Sequence, residues 1–479
     1  MKLLLCSIAL ASSILAINHS VAKPVDRSDL MLEGEVTTDD PRRVPTAKDH
    51  GAHDTVLVLR GGRVFDAVDG ETRFATVVTQ GKWIQEVLPP DSGAFPEGAE
   101  VIDVSGRTVL PGLIDMHTHL TYVEKDLRMM NNLSDGALRG VERGRYYIES
   151  GITTVRDTGS LVDAIFRLKD WFNSGRLTGP RIFACGQLIV GTGGHGTEGL
   201  NYSTAPRIPH STLREASGPD DWREAVREQF KAGADFIKLA SHYSQAEVSA
   251  AVDEAHLLGL RVTVDAEAHF IDMAIEAGVD SIEHPLPRSS SAIRQMAKQD
   301  IASIPTIIPY DIILDEWGGY HGSTSRRFTL NHQTIRAMLK NLHDAGVTLG
   351  IGTDLVAHWF RYLTTAYIEE LQIFQDVVGY TPATALIAAT RTNAEIIGMD
   401  DKLGTLQEGR LADIIVVDGR PDEDLEDLAN VELVIRDGRV VLRDGDIVTP
   451  RHEPLPRKTA NLSSSNEHRD SEQEEETSK

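Results

Sequence analysis

His117 and His119 stand two apart in "PGLIDMHTHL". Alternate residues of a strand share a face, so both imidazoles can bind one metal ion through nitrogen. Lys238 lies inside the apolar run "DFIKLASH". A buried ammonium is costly unless it is paired or its charge is removed. Reaction with carbon dioxide removes the charge and gives a carbamate, an anion able to bridge two metals. His284 closes "SIEHP", and Asp354 closes "LGIGTD" beside small residues that leave room for a ligand. Singly, each has an ordinary explanation. His284 can cap a strand, Lys238 can pair with Asp265 or Glu267, and Asp354 can cap a helix. Together, five residues of metal-binding chemistry all fall at predicted strand ends, which chance does not readily supply.

The stretch "RVTVDAEAHF" (261–270) adds to this set. Val262 and Val264 read as a buried strand, after which Asp265, Glu267 and His269 alternate. A continuous strand aims all three the same way. Carboxylate oxygen and imidazole nitrogen both bind zinc, so Asp265 and His269 are both candidate ligands. The glycine-rich "GTGGHGTEG" carries His195 and reads as a substrate-approaching loop or a plain flexible one. It has no Lys or Arg, which argues against phosphate binding. His242 and Tyr243 follow Lys238 and are candidates to hydrogen-bond a substrate, with structural roles as the alternative. Arg156 in "TTVRDTG" is expected to pair with Asp157 or another buried acid. His358 and Arg361 read as helix-surface positions that can also reach a substrate carboxylate.

Elements of two kinds must position these residues. In the middle of the chain, strands and amphipathic helices with Gly stops alternate. The helices are "DDWREAVREQFKAG", "QAEVSAAVDEAHLLG" and "HFIDMAIEAG"; the strands run from "GLIDMHTHL" to "VTLGIGTD". Their number and span predict an α/β fold, a (β/α)8 TIM-like barrel over 111–394, with its active site at the strand C-termini. A doubly wound open sheet is the rival, but no strand-associated Gly-x-Gly-x-x-Gly loop supports it. Two β-rich blocks, 54–110 and 395–449, flank the barrel and predict one small β-sandwich domain built from both chain flanks.

Of the 479 residues, 48 are basic and 72 acidic, a formal net charge of -24. That argues against nucleic acid and anionic membrane as main partners. Residues 1–22 combine Lys2, an apolar run and "SVA", which predicts an export signal cut before Lys23 and a periplasmic or secreted protein. No integral membrane segment is expected after cleavage, and a homo-oligomer is compatible with the sequence. The mature chain would keep one cysteine, Cys185, read as a small buried hydrophobe. Residues 23–53 read as a polar arm, and 450–479 as a disordered acidic tail.

The motifs "VIDVSGRTVLPGLIDMHTHL", "GITTVRDTG", "TGGHG", "FIKLAS", "EAGVDSIEHP", "LGIGTD", "TPATALIAATRTNAEIIG" and "LGTLQEGRLADIIVVDG" occur in order over roughly 55–445. In these the chain resembles the amidohydrolase superfamily, in its binuclear carboxylated-lysine group. It is most similar to the prolidase-like (Xaa-Pro dipeptidase) and imidazolonepropionase-related members. The resemblance implies two divalent metals, with zinc the default for such ligands. It implies that His117 and His119 bind the buried metal, carboxylated Lys238 bridges, and His284 binds the second metal. Asp354 becomes ligand and proton shuttle. The family places another histidine at the end of the fifth strand, and this chain has none in that register. Asp265 has the better register and His269 the more usual chemistry, while a single tightly bound metal is the third reading. The activity implied is metal-dependent hydrolysis of amide C–N bonds in a small-molecule amide or dipeptide, as a dipeptidase or N-acyl-amino-acid hydrolase. Cyclic amide or lactone hydrolysis, deamination and a non-catalytic binding protein are the alternatives.

Overall fold

A computed structural model describes residues 54–93, 95–122, 133–197, 211–317 and 330–448. The expected export signal, polar arm and acidic tail lie outside the described residues. Parallel strands covered by helices are buried on both faces, so they read as near-continuous apolar runs. Leu113–Thr118, Ile152–Asp157, Phe236–Ala240, Ser281–Glu283 and Ala302–Ile304 are buried throughout, and Arg261–Asp265 all but its first residue. These strands pair in parallel in chain order. The third barrel strand is broken in two. Arg181–Ala184 pairs with the second strand and Leu188–Gly191 with the fourth.

Segment 348–354 closes the ring. Ser303 N donates to Thr348 O at 2.8 Å on one side; Met116 N donates to Ile351 O at 3.0 Å on the other. Read from sequence as a plain strand, it is extended chain held by isolated bridges at Leu349 and Leu355. A Cβ on Gly352 would lie 2.9 Å from His117 N. The small residues beside Asp354 therefore let two backbones approach, rather than clearing space for a ligand.

Helices Pro219–Ala232, Gln245–Leu257 and His269–Ala277 lie where the apolar periodicity puts them. Gly233 and Gly278 end two of them in the left-handed conformation, the usual exit that leaves no Cβ to clash. Among the described residues no helix is long and apolar enough to cross a membrane. Cys185 is free and buried.

Beside the barrel lie two sheets. One orders Trp83–Leu88, Thr76–Gln80, Val56–Arg60 and Glu100–Asp103. The other includes Ile414–Val417, which pairs with Thr108–Pro111 from the opposite end of the chain. Leu57, Val77, Ile84, Val109, Ile414 and Ile435 pack between them, so both flanks bury one core. Arg181, at the start of the third barrel strand, fastens this sandwich to the barrel. Its guanidinium bonds Asp413 at 3.0 Å and Asp437 at 2.6 Å. The strand N-termini thus face the sandwich, and the C-termini are left for chemistry.

Candidate active site

His117 lies near the end of the first barrel strand and His119 just past it. His117 Nδ1 sits 2.7 Å from Glu283 Oε2, and His119 Nδ1 2.7 Å from Gly159 O. A donated Nδ1–H fixes the tautomer and leaves Nε2 as a metal ligand. Both Nε2 atoms turn to Asp354 Oδ1, at 3.5 and 3.1 Å. His284 enters from the sixth strand, its Nδ1 2.8 Å from Thr306 Oγ1. His117, His284 and Asp354 hold ligand atoms within 4.8 Å of one another, a set able to bind a metal ion. His284, Thr306 and Asp354 all have φ between 47° and 64°. Such left-handed backbone costs a non-glycine residue about 1–3 kcal/mol and is concentrated at functional sites.

The electrostatics suit a metal centre. Burial pushes the His117 imidazole down to about 3, against the pull of Asp354. Burial also raises the Asp354 carboxyl, but His117, His119 and His284 outweigh it and hold the group well below the usual carboxylate range. Lys238 Nζ is buried with no hydrogen-bond partner among the described residues. The ordinary explanation, an ion pair with Asp265 or Glu267, is therefore not what the amine makes. Burial lowers its pKa, although Glu283 and Asp265 act in the opposite direction. A buried amine whose pKa is lowered, and which has no hydrogen-bond partner among the described residues, fits a lysine that forms a carbamate.

At the fifth strand the alternation argument fails beyond Asp265. The strand ends there, and His269 opens the next helix. His269 is exposed, its ring stacked 4.2 Å from that of Phe270. The structure does not bring it to the cluster. Asp265 does arrive: its Oδ2 lies 3.3 Å from His284 Nε2 and 3.3 Å from His195 Nε2. Tyr243 is buried, and its hydroxyl donates to Phe270 O at 2.9 Å. That contact makes it a packing residue rather than a free substrate donor. His242 is half-buried, its ring 5.3 Å from that of Phe270. His358 and Arg361 are exposed on the turn Ala357–Tyr362.

Sequence reasoning passed over Glu283. It lies fully buried beside the candidate ligands, 2.7 Å from His117 Nδ1 and 2.5 Å from Arg156 Nη2. It also accepts from Thr263 Oγ1. Arg156 thus pairs with this acid and not with Asp157, which instead receives Leu120 N and Ser160 Oγ. A signal existed, because Glu283 shares strand parity with Ser281 and lies one residue from His284. Asp115 was also missed. It accepts from His117 N, Thr353 N and Thr353 Oγ1, tying the first strand to the eighth.

Residues 108–441 match the Amidohydrolase family. The chain belongs to that family. Among solved structures, this amidohydrolase is 30% identical to a prolidase complexed with N-methylphosphonate-L-proline. The TM-score is 0.72, over 81% of this chain and 100% of that one. A Xaa-Pro dipeptidase with bound methionine is 27% identical, TM-score 0.70, over 81% and 99%. The ochratoxinase of Aspergillus niger is 26% identical over 355 residues, 66% of this chain and 72% of that protein. As an amidohydrolase the chain is a hydrolase acting on carbon–nitrogen bonds.

Proposed function

We propose that the chain is an exported, binuclear metal-dependent hydrolase that cleaves the amide bond of a dipeptide or an N-acyl amino acid. The observation that carries this reading is convergence. His117, His119, His284, Asp354 and the amine of Lys238, which has no hydrogen-bond partner among the described residues, meet at the strand C-termini of one barrel. His117, His119 and Asp354 would hold one divalent ion, His284 and Asp265 would contribute to a second, and carboxylated Lys238 would join them. Zinc is the default for imidazole and carboxylate ligands. Bound metal supplies a Lewis acid and a water acidified toward neutrality.

The residues' own work follows from their positions. Asp354, whose carboxyl is held below the usual carboxylate range, accepts the proton of the attacking water and returns it to the leaving nitrogen. Glu283 holds His117 with its Nε2 toward the site. Similarity to a prolidase and a Xaa-Pro dipeptidase supports a peptide-like substrate.

The test is amine release. Xaa-Pro dipeptides and N-acyl amino acids are incubated with purified enzyme, and free amino acid is measured. Release that stops on chelation and returns with zinc supports the reading. Activity confined to cyclic amides or lactones, with ring opening and no amine released, would replace it. Export rests on residues 1–22, and a secreted or periplasmic chain starting at Lys23 by N-terminal sequencing checks it.

A further inference from the structure

The fifth strand offers a carboxylate where a second metal site commonly uses an imidazole, and His269 does not make up the loss. The missing group has another source. After the third barrel strand, residues 191–197 lie across the end of the fourth. Gly191 N donates to His242 O at 3.1 Å, and His195 N to Ser241 O at 2.7 Å. Ser241 N in turn donates to Asp265 O at 3.0 Å. A backbone chain of hydrogen bonds thus ties His195 to the strand that bears Asp265. The glycines make this possible. A Cβ on Gly191 would meet His242 O at 2.4 Å, and one on Gly194 would meet His242 N at 2.4 Å.

The loop delivers His195 Nε2 to 3.3 Å from Asp265 Oδ2, the oxygen that His284 Nε2 also approaches at 3.3 Å. These separations differ from the hydrogen bonds around them. The Nδ1 atoms of His117, His119 and His284 meet their acceptors at 2.7, 2.7 and 2.8 Å. A charge-assisted N–H···O bond is also short, about 2.7–2.9 Å. Ligands about 2.0–2.1 Å from a tetrahedral metal lie roughly 3.3–3.4 Å apart. The two Asp265 contacts, two of the three separations such a site needs, have that second spacing. The His119–Asp354 and His117–Asp354 pairs, at 3.1 and 3.5 Å, bracket it.

We propose that His195 is a metal ligand, supplying from the third-strand loop the imidazole that the fifth strand lacks, so that His195, Asp265 and His284 hold the second ion. The proposal rests on the two-metal reading above. The glycine-rich loop then serves to present a ligand, and His195 is not available to bind substrate directly.

Zinc content separates the outcomes without reference to turnover. The full mature chain is equilibrated with zinc and bicarbonate, freed of excess metal, and assayed for zinc per chain. His195→Ala, Asp265→His and the double variant are treated alike, with circular dichroism confirming that each is folded. The wild type should hold two equivalents and His195→Ala one. The double variant should recover two, because Asp265→His returns an imidazole to the fifth strand and makes His195 dispensable. Cobalt substitution gives a second readout, with the visible absorption of one site lost in His195→Ala alone. Two tightly held equivalents in folded His195→Ala would overturn the proposal. So would a double variant that stays at one, since the loss would then not be that of an imidazole. One equivalent or none in the wild type would instead remove the two-metal reading itself.

Discussion

Opposite sides of the candidate ligand cluster are built by different means. Around His117 and His119, the end of one strand and the residue just past it carry both imidazoles, and their Nδ1 atoms are fixed by Glu283 and by Gly159 O. At the other side, His284, Asp265 and His195 come from the sixth strand, the fifth strand and the third-strand loop. The first side depends on the period of one strand, which survives any arrangement of the rest. The second depends on where a loop settles.

Perturbing each side should show that difference. The largest effect is expected at Asp354, which both sides share. Asp354→Asn should keep most of the metal but lower kcat by roughly 10²–10⁴-fold, the usual worth of a positioned acid–base group. Near-normal turnover in that variant would remove its role as proton carrier. Next is Glu283→Gln, which weakens the support of His117 and leaves Arg156 short of a counter-charge. Metal affinity should fall by about 10–100-fold, as for other partners of a metal-binding histidine. Breaking a buried pair should also cost about 3–5 kcal/mol, read from denaturant unfolding. Intact affinity would mean that the first side does not rely on its carboxylate.

The strand that mixes the two candidate ligands gives a sharper contrast. Asp265→Ala should release one metal equivalent, whereas His269→Ala, an exposed position, should release none. The reverse result would put the ligand on the helix and not on the strand. The smallest effect lies outside the cluster. Glu370 is buried and accepts the backbone N–H groups of Ile307 and Ile308. Burial, partly offset by those bonds, raises its carboxyl from 4.5 to about 8. The folded state then binds a proton that the unfolded state releases, so this contribution is complete below about pH 4.5. It is lost as pH rises toward about 8. Thermal midpoints of wild type and Glu370→Gln should draw together over that interval, and a constant gap would show that Glu370 does not titrate there.

How much of this was readable in advance varies residue by residue. His117 and His119 were readable because a strand's period of two needs no tertiary information. Lys238 was readable because an ammonium in an apolar strand is anomalous wherever the strand lies. The β-sandwich from both flanks followed from apolar runs broken by Gly and Asp. His269 misled because alternation was extended past Asp265, where the chain turns into a helix. Glu283 was hidden beside the more conspicuous His284, and of the two roles open to Tyr243 the structural one is what its hydroxyl makes, on Phe270 O.

The sequence by itself determined the barrel, the order of its strands and the chemical types at their C-terminal ends. Those depend on apolar burial, side-chain period and the cost of isolated buried charge, all of which are local. Only the tertiary structure decided that Arg156 and His117 share Glu283, that His269 faces solvent, and that His195 reaches Asp265. Each of these joins segments far apart in the chain. Their meeting is set by barrel closure and by glycines that let one backbone lie on another, and neither leaves a periodic trace in the residues themselves.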